Sequence, residues 1–529
     1  ATSYASKNPG KFLYVKDQDI NAGFKKAKGD YIILCKADGI FPAWAFYEIK
    51  KPIINHPKAL FIYMDEDKLH DEKPLFKPDM SMDLLCSFNY IGSVSVIKKE
   101  LMETVNGYNS EYDFYLRCFE KATEQERKEL KEYTGDDSIL SLLDTSMNSL
   151  HEAWFTSETV IHIPKVLYHR LNQMEVEKEE VAIKAIKAHY DRMHIPYEDV
   201  ERGVDAGYYH TTFKKPDEKA PFVSIIIPTK DHSDDLDLCI RSVIEKSEYR
   251  NLEFIVVENN STDPKTFAYY EDINSTFNSN IPIKVIYWKR EFNYSAINNF
   301  AIPYAKGDLL LFLNNDVELI SPCSITEMVN YALRDNVGIV GARLLYDDNT
   351  LQHAGVIVGS GGIAGHAFRE LHEKAKSYMH RSMCVQNYSA LTAACIMMKK
   401  SLFNQVGGFP EDLAVAFNDI ALCMKVRAMG RVNIYNPYVT FYHYESKSRG
   451  LEDSIEKIKR FNNEIRTFSN QWNGILEHGD PYYNPNLSLL YNTYSIRDVR
   501  NEIVGKPLKL AFDPEKQLED VMKEKEKKV

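Results

Sequence analysis

The sequence predicts a doubly wound α/β fold, and three observations support it. Continuous apolar runs bounded by polar residues, such as Leu309–Leu313, suit strands buried on both faces of a parallel sheet. Helical patterns alternate with these runs, and polar or acidic residues follow each of them. The stretch AKGDYIILCKAD at 27–38 is repeated as AKGDLLLFLNND at 305–316. We therefore expect two related domains.

Length and composition limit the class of protein. A chain of 529 residues is too long for one ordinary core. A net charge of −11 and a pI near 5.8 argue against a general nucleic-acid binder. Eight cysteines without a CxxC pair predict free thiols and a reducing compartment, and no apolar run approaches the roughly 20 residues of a bilayer span. No signal peptide opens the chain, so we expect a cytoplasmic protein.

The first block of the chain predicts a strand at Tyr31–Cys35 and a helix at Ala43–Lys50. A second strand, Ala59–Met64, is expected to end at the three acidic residues 65–67. Together with the repeated stretch at 27–38, these elements predict a domain that lacks the first strands of the later one.

Further repeats relate the two halves. Residues 89–108 are repeated in order by 387–409, and 161–170 parallels 439–445, which aligns His169 with His443. Repetition of several blocks in the same order indicates duplication more strongly than any single match.

The segment between the repeats predicts no chemistry. Residues 119–160 are an insertion rich in Glu, Lys, Ser and Leu, and its first part, FEKATEQERKELKEY, is expected to be a solvated helix. Residues 175–193 predict a helix that ends before Pro196. A polar linker then runs to Pro221. We expect four parts: 1–172, 173–220, 221–450 and 451–529.

The second domain carries the stronger pattern. Four strands are expected, at Phe222–Ile227, Phe254–Val257, Lys284–Trp288 and Leu309–Leu313. Polar or acidic residues follow their ends, where α/β sheets bind ligands. The sequence therefore predicts a binding groove along this edge.

An ordered set of motifs extends over residues 221–490. It consists of PTKD, VENNSTD, NYSAINN, GDLLLFLNNDVE, LQHAGVIVGSGGIAGHAF, TAACIMMKKSLFNQVGGF, AFNDIALCMKVRAMG, FYHYESKSRG and DPYYNPNLSL. This set resembles bacterial family 2 glycosyltransferases of the GT-A fold, and within them the rhamnosyltransferase-like enzymes of cell-surface polysaccharides. Residues 24–170 resemble a second, truncated GT-A-like domain.

The resemblance implies a metal-assisted reaction. A nucleoside-diphosphate sugar donor (UDP- or dTDP-sugar) releases a diphosphate, whose departure Mg²⁺ or Mn²⁺ can stabilise. It assigns Asp316 as a metal ligand and Asn314 and Asn315 to the ribose and diphosphate. The family usually writes this motif Asp-x-Asp, and Asn314 replaces the first acid. One carboxylate with phosphate and water oxygens still suits such a cation.

The resemblance also implies a donor pocket and a catalytic base. Asp231 and Glu258 are expected to face the base and ribose, because carboxylates accept hydrogen bonds from ring N–H and hydroxyl groups. Asp419 is the expected general base, although Asn-Asp before a helix also reads as an N-cap. The donor-binding set is Thr229, Asp231, Glu258, Asn260, Asn293, Asn298, Asn314, Asn315 and Arg449.

Histidines complete the expected site. His443 is assigned as a second metal ligand, and Arg449 in the loop after it as a phosphate clamp. His353 and His366 flank the glycine-rich stretch 355–366, whose spacing is wrong for a dinucleotide fingerprint. We expect that stretch to be a loop near the acceptor.

The first domain fails most of the same tests. Nothing in residues 1–23 corresponds to PTKD or VENNSTD, and Lys36 stands at the first acid of the metal motif. Glu111 lies near the expected base, with Asp113 two residues later. We predict an inactive domain that keeps its fold, docks on the second domain and binds the growing glycan. The rival prediction is a genuine second transferase site.

The remaining expectations concern the end of the chain and its partners. Ser454–Trp472 predicts a helix packed over the catalytic domain, and 514–529 a charged helix or tail. The expected function is inverting sugar transfer to a cell-surface polysaccharide or lipid-linked precursor. Peripheral contact with the inner face of the cell membrane or with assembly proteins is expected, and no nucleic acid. The alternatives are a bifunctional transferase and a non-catalytic glycan-binding scaffold.

Overall fold

A computed structural model gives the structure of the protein and describes residues 19–70, 74–134, 157–174, 176–214, 219–277, 280–444 and 454–502. The chain divides into two compact units. Within the described ranges, the first unit contains the residues up to 212 and the segment Pro481–Leu487. The second contains Phe213–Asp480 and the residues from Ser488 onward.

The first unit is a mixed α/β structure. Its elements are α1 (Ile20–Lys26), β1 (Tyr31–Cys35), β2 (Gly39–Ile40), α2 (Ala45–Asn55), β3 (Phe61–Lys68), α3 (Met82–Ser87), β4 (Val94–Lys98), α4 (Lys99–Thr104), α5 (Glu111–Thr134), β5 (Val160–Arg170), α6 (Glu179–Arg192), β6 (Asp199–Arg202) and β7 (Tyr209–Thr212). Five strands form one sheet in the order β1-β4-β3-β5-β2. Ile62, Met64 and Val96 belong to a core that covers this sheet.

One strand of this unit differs from its prediction. β3 does not end at the acidic residues but runs through them to Lys68. Glu66 is fully buried, and its carboxylate pairs with Lys77 Nζ at 3.3 Å and Arg170 Nε at 3.0 Å. Buried charges are tolerated when they are paired in this way. The partners are distant in sequence, so hydropathy alone could not place them.

The second unit contains the longer sheet. Its elements are β8 (Val223–Thr229), α7 (Ser233–Lys246), β9 (Leu252–Glu258), α8 (Pro264–Phe277), β10 (Ile283–Tyr287), α9 (Tyr294–Ala301), a 3₁₀ turn (Ile302–Tyr304), β11 (Leu309–Leu313), β12 (Val317–Leu319), α10 (Ser324–Leu333), β13 (Val337–Leu345), β14 (Leu351–His353), β15 (Val356–Val358), β16 (Ala364–His366), β17 (Gln386–Tyr388), β18 (Cys395–Lys399), α11 (Lys400–Gln405), α12 (Asn418–Ala428), β19 (Val432–His443), α13 (Ile455–Gln471) and α14 (Asn473–His478). Short 3₁₀ turns lie at Ser360–Gly362 and Tyr378–Met383.

The sheet order is β10-β9-β8-β11-β18-β13-β19-β12, with β14 and β17 joined at the side. β10, β9, β8 and β11 run parallel, so the carboxyl ends of these strands meet at one edge. All five residues of β11 are buried, as the apolar run predicted. Gly307 precedes β11, and a Cβ there would lie 2.6 Å from both Phe222 O and Ser224 N. The close approach of β8 therefore requires glycine.

The two units share one strand topology. The order β1-β4-β3-β5-β2 corresponds to β11-β18-β13-β19-β12, and each pair keeps its parallel or antiparallel sense. Asn21 exchanges two hydrogen bonds with the backbone of Tyr108, and Asn299 does the same with Phe409. The similarity therefore begins earlier, at α1 and α9, than the sequence repeats indicated.

The register corrects one predicted correspondence. Gly39 pairs with Arg170, whereas Val317 pairs with His443. The next backbone N–H, of Leu171 or Tyr444, donates to Asp38 O or Asp316 O. Arg170, not His169, therefore occupies the position equivalent to His443. The pairings of β5 and β19 both contain register shifts. The alignment of His169 with His443 did not include these shifts and was therefore wrong by one residue.

Two further expectations concern the oxidation state of the cysteines and helices that could cross a membrane. All eight cysteines are free thiols, and six of them are buried. Among the described residues, we find no helix of sufficient length and apolarity to cross a membrane.

Candidate active site

The ends of β8 and β11 are joined by their side chains. Asn315 Nδ2 donates to Thr229 Oγ1 at 3.1 Å, and both residues are buried. The two strands are parallel neighbours, so these ends lie at the same edge. This hydrogen bond joins the ends of β8 and β11 at the base of the predicted groove.

Asp231 organises the loop beyond β9. Its Oδ1 accepts hydrogen bonds from the backbone N–H groups of Thr262, at 2.8 Å, and Asp263, at 2.9 Å. Desolvation acts to raise the pKa of Asp231, but the N–H groups of Asp263 and Thr262 outweigh it and hold that pKa below its usual value. An ionised carboxylate therefore lies at the rim of the groove.

Glu258 has a different environment from the one expected. Both its oxygens accept hydrogen bonds at 2.5 Å from Ser261, one from the backbone N–H and one from the hydroxyl, and Tyr270 OH donates at 3.0 Å. The residue is only 3% exposed. These contacts favour a role in shaping the loop rather than in direct recognition of a nucleoside.

Three predicted donor-site asparagines hold the surrounding backbone. Asn260 donates to Arg290 O at 2.7 Å. Asn293 caps α9 by accepting from Ala296 N, and it donates to Glu411 O. Asn298 is fully buried and donates to Tyr294 O at 2.8 Å. Their contacts in the structure position the backbone around the groove, and their role in donor binding stays a prediction.

Asp316 and His443 form the corner where a metal is expected. Asp316 Oδ1 lies 3.2 Å from His443 Nε2, and both side chains are mostly buried. His443 Nδ1 lies 2.6 Å from Gln352 Oε1, an acceptor, so Nδ1 carries a proton. Nε2 faces Asp316 and the Asn314 amide. Gln352 therefore orients the imidazole as outer partners of metal-binding histidines do.

The corner fits a divalent cation with few protein ligands. Two ligands at right angles and about 2.1 Å from a cation are about 3.0 Å apart, close to the observed separation of Asp316 and His443. Within the residues that the structure describes, no group of three or more His, Cys, Asp or Glu side chains gathers in a metal-binding arrangement. The remaining ligands must then come from the donor phosphates and water, as is common for Mg²⁺.

Removing the Gln352 amide tests this corner. For Gln352→Leu we expect the affinity for Mn²⁺ to fall by about 10–100-fold, because the imidazole loses its orienting partner. Titration of free Mn²⁺ by electron paramagnetic resonance, in the presence of nucleotide, measures this affinity. Gln405→Leu makes the same chemical change at an exposed helix position and should leave the affinity unchanged. Unchanged affinity in Gln352→Leu would show that His443 is not a ligand.

Asp419 lies in the first turn of α12. Its Oδ2 accepts a hydrogen bond from Ala393 N at 3.1 Å, and its Oδ1 lies 2.8 Å from Ile420 N. Burial raises the pKa of this carboxyl, although the backbone N–H groups act in the opposite direction. A raised pKa suits a general base that must take up a proton near neutral pH. The N-cap of α12 is Phe417, so Asp419 is not the N-cap, and its side chain instead accepts a hydrogen bond from Ala393, two residues before β18.

The carboxylate and the metal corner are joined through two consecutive residues. Ala393 donates its N–H to Asp419, and Ala394 accepts a hydrogen bond at 3.0 Å from Asn314 N. Asp419 is therefore set beside the end of β11, where Asp316 also lies.

A strained residue precedes the candidate base. Phe417 has φ of 64°, in the left-handed region that phenylalanine rarely adopts. Its ring packs against Phe461 and Phe468 of α13, with centroid distances of 5.7 and 5.5 Å. Packing of this kind is needed to maintain strained backbone at a functional site.

α13 also holds the backbone of the same loop. Glu464 is 1% exposed, and its carboxylate accepts hydrogen bonds from Val415 N at 2.8 Å and Ala416 N at 3.3 Å. The helix predicted at Ser454–Trp472 thus supports the turn that carries Asp419. Sequence reasoning missed Glu464 and Gln352 because each acts through a residue tens of positions away.

His353 and His366, which flank the loop expected near the acceptor, form a pair. His353 Nδ1 lies 2.8 Å from His366 Nδ1, and their rings are perpendicular. Burial, with His366 and His443 nearby, lowers the pKa of His353 well below its usual value. His353 is therefore neutral. It follows Gln352 on β14, so the strand that carries the partner of His443 also carries this pair's first member. Arg449 lies outside the described residues.

Comparison with known proteins relates this unit to a known family. Residues 224–407 match the model of glycosyl transferase family 2. The chain is 34% identical over 524 residues to the uncharacterised protein y4gI of Sinorhizobium fredii, covering 94% of this chain and 53% of that protein. It is 31% identical over 492 residues to the O-antigen biosynthesis protein RfbC of Myxococcus xanthus, covering 90% and 35%. The chain thus spans about half or less of the length of these relatives.

Solved structures show more distant similarity. A mannosyltransferase of Pyrobaculum calidifontis in complex with GDP-Man and Mn²⁺ is 19% identical, covers 48% of this chain and 67% of its own, and has a TM-score of 0.35. GalNAc-T7 with UDP, GalNAc and Mn²⁺ is 14% identical, covers 55% and 57%, and has a TM-score of 0.38. TM-scores this low support no conclusion about the site.

The family match confirms the resemblance derived from the motifs. It begins in β8 and ends just after α11, so it includes Asp231, Glu258 and Asp316 but neither Asp419 nor His443. The doubly wound sheet of the second unit agrees with the predicted GT-A architecture. Residues 224–407 of the second unit therefore match glycosyl transferase family 2.

Proposed function

We propose that the protein is an inverting, metal-dependent glycosyltransferase that takes a sugar from a UDP- or dTDP-sugar. The observation that carries the proposal is the pair of hydrogen bonds at Ala393 and Ala394. Through them the Asp419 carboxylate lies next to the strand end that carries Asp316. A base beside a diphosphate corner is the arrangement that inverting transfer needs.

Asp419 acts as the general base. It takes the proton of the acceptor hydroxyl while that oxygen attacks the anomeric carbon from the face opposite the diphosphate. The new bond joins the acceptor oxygen to the anomeric carbon. The bond from that carbon to the phosphate oxygen breaks, and the nucleoside diphosphate leaves with the electron pair. The configuration at the anomeric carbon is therefore inverted.

Asp316 and His443 would hold Mg²⁺ or Mn²⁺, which, when bound, supplies positive charge that stabilises the departing diphosphate. Thr229, Asn315 and the ionised Asp231 line the donor side of the groove. Glu258 and the three asparagines that hold loop backbone keep this surface rigid. Arg449 as a phosphate clamp stays a prediction.

The acceptor is a glycan of a bacterial cell-surface polysaccharide or its lipid-linked precursor. The similarity to an O-antigen biosynthesis protein supports this class of acceptor. The proposed setting is the inner face of the cell membrane, with the enzyme in contact with the lipid-linked chain or other assembly proteins.

Two alternative functions make different predictions. A bifunctional enzyme requires a second site in the first unit, but there Lys36 and Arg170 stand at the positions of Asn314 and His443. A non-catalytic scaffold requires no base with a raised pKa. We therefore favour one active site, in the second unit.

A donor screen tests the proposal. We expect one member of a panel of UDP-, dTDP- and GDP-sugars to raise the melting temperature only when Mg²⁺ or Mn²⁺ is present, since a donor at 100 times its Kd stabilises the fold by about 2.7 kcal/mol. Slow metal-dependent hydrolysis of the same donor should accompany it. Stabilisation by no donor with either metal would overturn the proposal.

A further inference from the structure

A cavity of about 200 Å³ opens at the strand-end edge of the first unit. It lies between the end of β1, the first turn of α5 and the segment from Ala206 to Tyr209. Five aromatic residues contribute to its wall: Phe88, Tyr108, Tyr112, Tyr208 and Tyr209. It is separate from the candidate active site, which is built wholly from the second unit.

The cavity occupies the position that the shared topology gives to the active-site groove. Lys36 follows β1 as Asn314 follows β11, and Arg170 ends β5 as His443 ends β19. Glu111 begins α5, and Asp419 lies in the first turn of α12. The edge is therefore retained, with Asp38 at the position of Asp316, while Lys36 and Arg170 replace Asn314 and His443.

The cations of the wall already face carboxylates. Lys36 Nζ forms an ion pair with Glu111, and Arg170 Nε lies 3.0 Å from the buried Glu66. Glu177 adds a further negative charge, and its oxygens lie 3.3 Å from the backbone N–H groups of Glu111 and Tyr112. A diphosphate would have to displace these pairs and would be repelled by the carboxylates. The wall therefore disfavours anions.

Two buried polar atoms of the wall point to a ligand with hydroxyl groups. Tyr209 OH and Asn89 Oδ1 have no hydrogen-bond partner among the described residues. Burial raises the pKa of Tyr209 to about 12, so its hydroxyl keeps its proton and can donate. Buried polar groups normally have partners, which implies that water or a ligand satisfies these two. A donor and an acceptor on residues that line the same cavity match the hydroxyl groups of a sugar.

We propose that this cavity is a binding site for one neutral saccharide unit. The sugar ring packs against the tyrosine faces, and its hydroxyls hydrogen-bond to Tyr209 and Asn89. The cavity is smaller than the roughly 300–1,000 Å³ that encloses a drug-sized ligand, so it holds a single ring or the end of a chain. The site needs neither a metal nor a nucleotide, and it does not depend on the proposed transferase function.

Saturation-transfer NMR on the full chain tests the site. The probes are the methyl glycosides of L-rhamnose, D-mannose and D-galactose, together with N-acetyl-D-glucosamine, in the millimolar range. We expect saturable binding of at least one probe, and Tyr209→Phe should raise its Kd by about 2–13-fold, the range for one lost hydrogen bond. Asn89→Ala should weaken binding similarly. Tyr197→Phe, which removes a hydroxyl whose exposed hydrogen bond to Asp191 lies in the same unit but outside the cavity lining, should leave Kd unchanged.

Other outcomes would overturn the proposal. These are the absence of saturable binding by any probe, equal affinity in wild type, Tyr209→Phe and Asn89→Ala, and displacement of the saccharide by UDP without metal. Repeating the titration with Asp316→Ala separates the two sites: saccharide binding should persist when donor binding is lost. Tyr209→Phe should, conversely, leave metal-dependent donor hydrolysis unchanged. A failed donor screen thus leaves this test intact.

Discussion

Replacement of Asp419 by Asn is expected to lower the rate of sugar transfer by about 10²–10⁴-fold, the usual contribution of a general base. The amide is nearly isosteric and can keep the hydrogen bond from Ala393 N through its oxygen, but it cannot take up the acceptor proton. Affinity for the nucleotide sugar should stay within about twofold, since Asp419 contacts the acceptor side. Single-turnover kinetics and donor titration measure the two quantities separately.

Asp412→Asn is the matched control. Asp412 lies seven residues earlier in the same loop, is exposed and accepts a hydrogen bond from Gln471. Its replacement removes one negative charge without touching the turn before α12, and turnover should remain at the wild-type level. Wild-type turnover in Asp419→Asn as well would mean that another group accepts the proton.

The pH dependence of kcat/KM also tests the assignment of Asp419 as the general base. Transfer requires an ionised Asp419, so kcat/KM falls as the pH drops through the pKa of that carboxyl. Burial raises this pKa above its usual value. The acidic limb should therefore lie above the ordinary Asp value of about 3.9 and should be absent from the residual activity of Asp419→Asn. A limb at the ordinary value would contradict the burial of this group.

Replacement of Asp316 by Ala should remove metal-dependent activity, with a loss of at least about 100-fold in Mn²⁺ affinity. Loss of an outer partner of a ligand already costs about 10–100-fold, and a direct ligand should cost more. The remaining imidazole of His443 cannot hold the cation alone. Isothermal titration with Mn²⁺ and nucleotide, followed by a donor hydrolysis assay, measures the effect.

Asp272→Ala provides the control for this second change. Asp272 is an exposed residue of α8, and its backbone carbonyl accepts hydrogen bonds from Ser275 and Thr276 of the same helix. Metal affinity and hydrolysis should remain unchanged in this variant. If Asp316→Ala retains metal-dependent hydrolysis, the cation is held elsewhere and the corner has another role.

The sequence predicted the central strands better than their chemistry. β11 has the predicted bounds, Leu309–Leu313, because a short apolar run buried on both faces leaves little ambiguity. β3 was predicted to end before Asp65, yet it continues through Glu66, whose burial depends on Arg170 more than a hundred residues later. Local hydropathy carries no information about such a pair.

The positions of the candidate site residues were also predicted better than their contacts. Asp316, His443 and Asp419 were selected by motif and are brought to one edge of the second unit. Glu258 was selected because it ends a strand, but its hydrogen bonds to Ser261 and Tyr270 belong to the loop itself. Whether a carboxylate faces a ligand or its own loop depends on side-chain direction, which strand periodicity does not determine at a strand end.

The large sheet is complete earlier in the chain than the segment that supports the loop before Asp419. Every strand of the large sheet is complete by His443, and the family match ends earlier still, at residue 407. Phe417 and the loop before Asp419 are nevertheless held by Phe461, Phe468 and Glu464. The smallest piece of chain that completes the sheet is therefore shorter than the smallest piece that can hold its base in place, and a catalytic fragment must extend through Gln471.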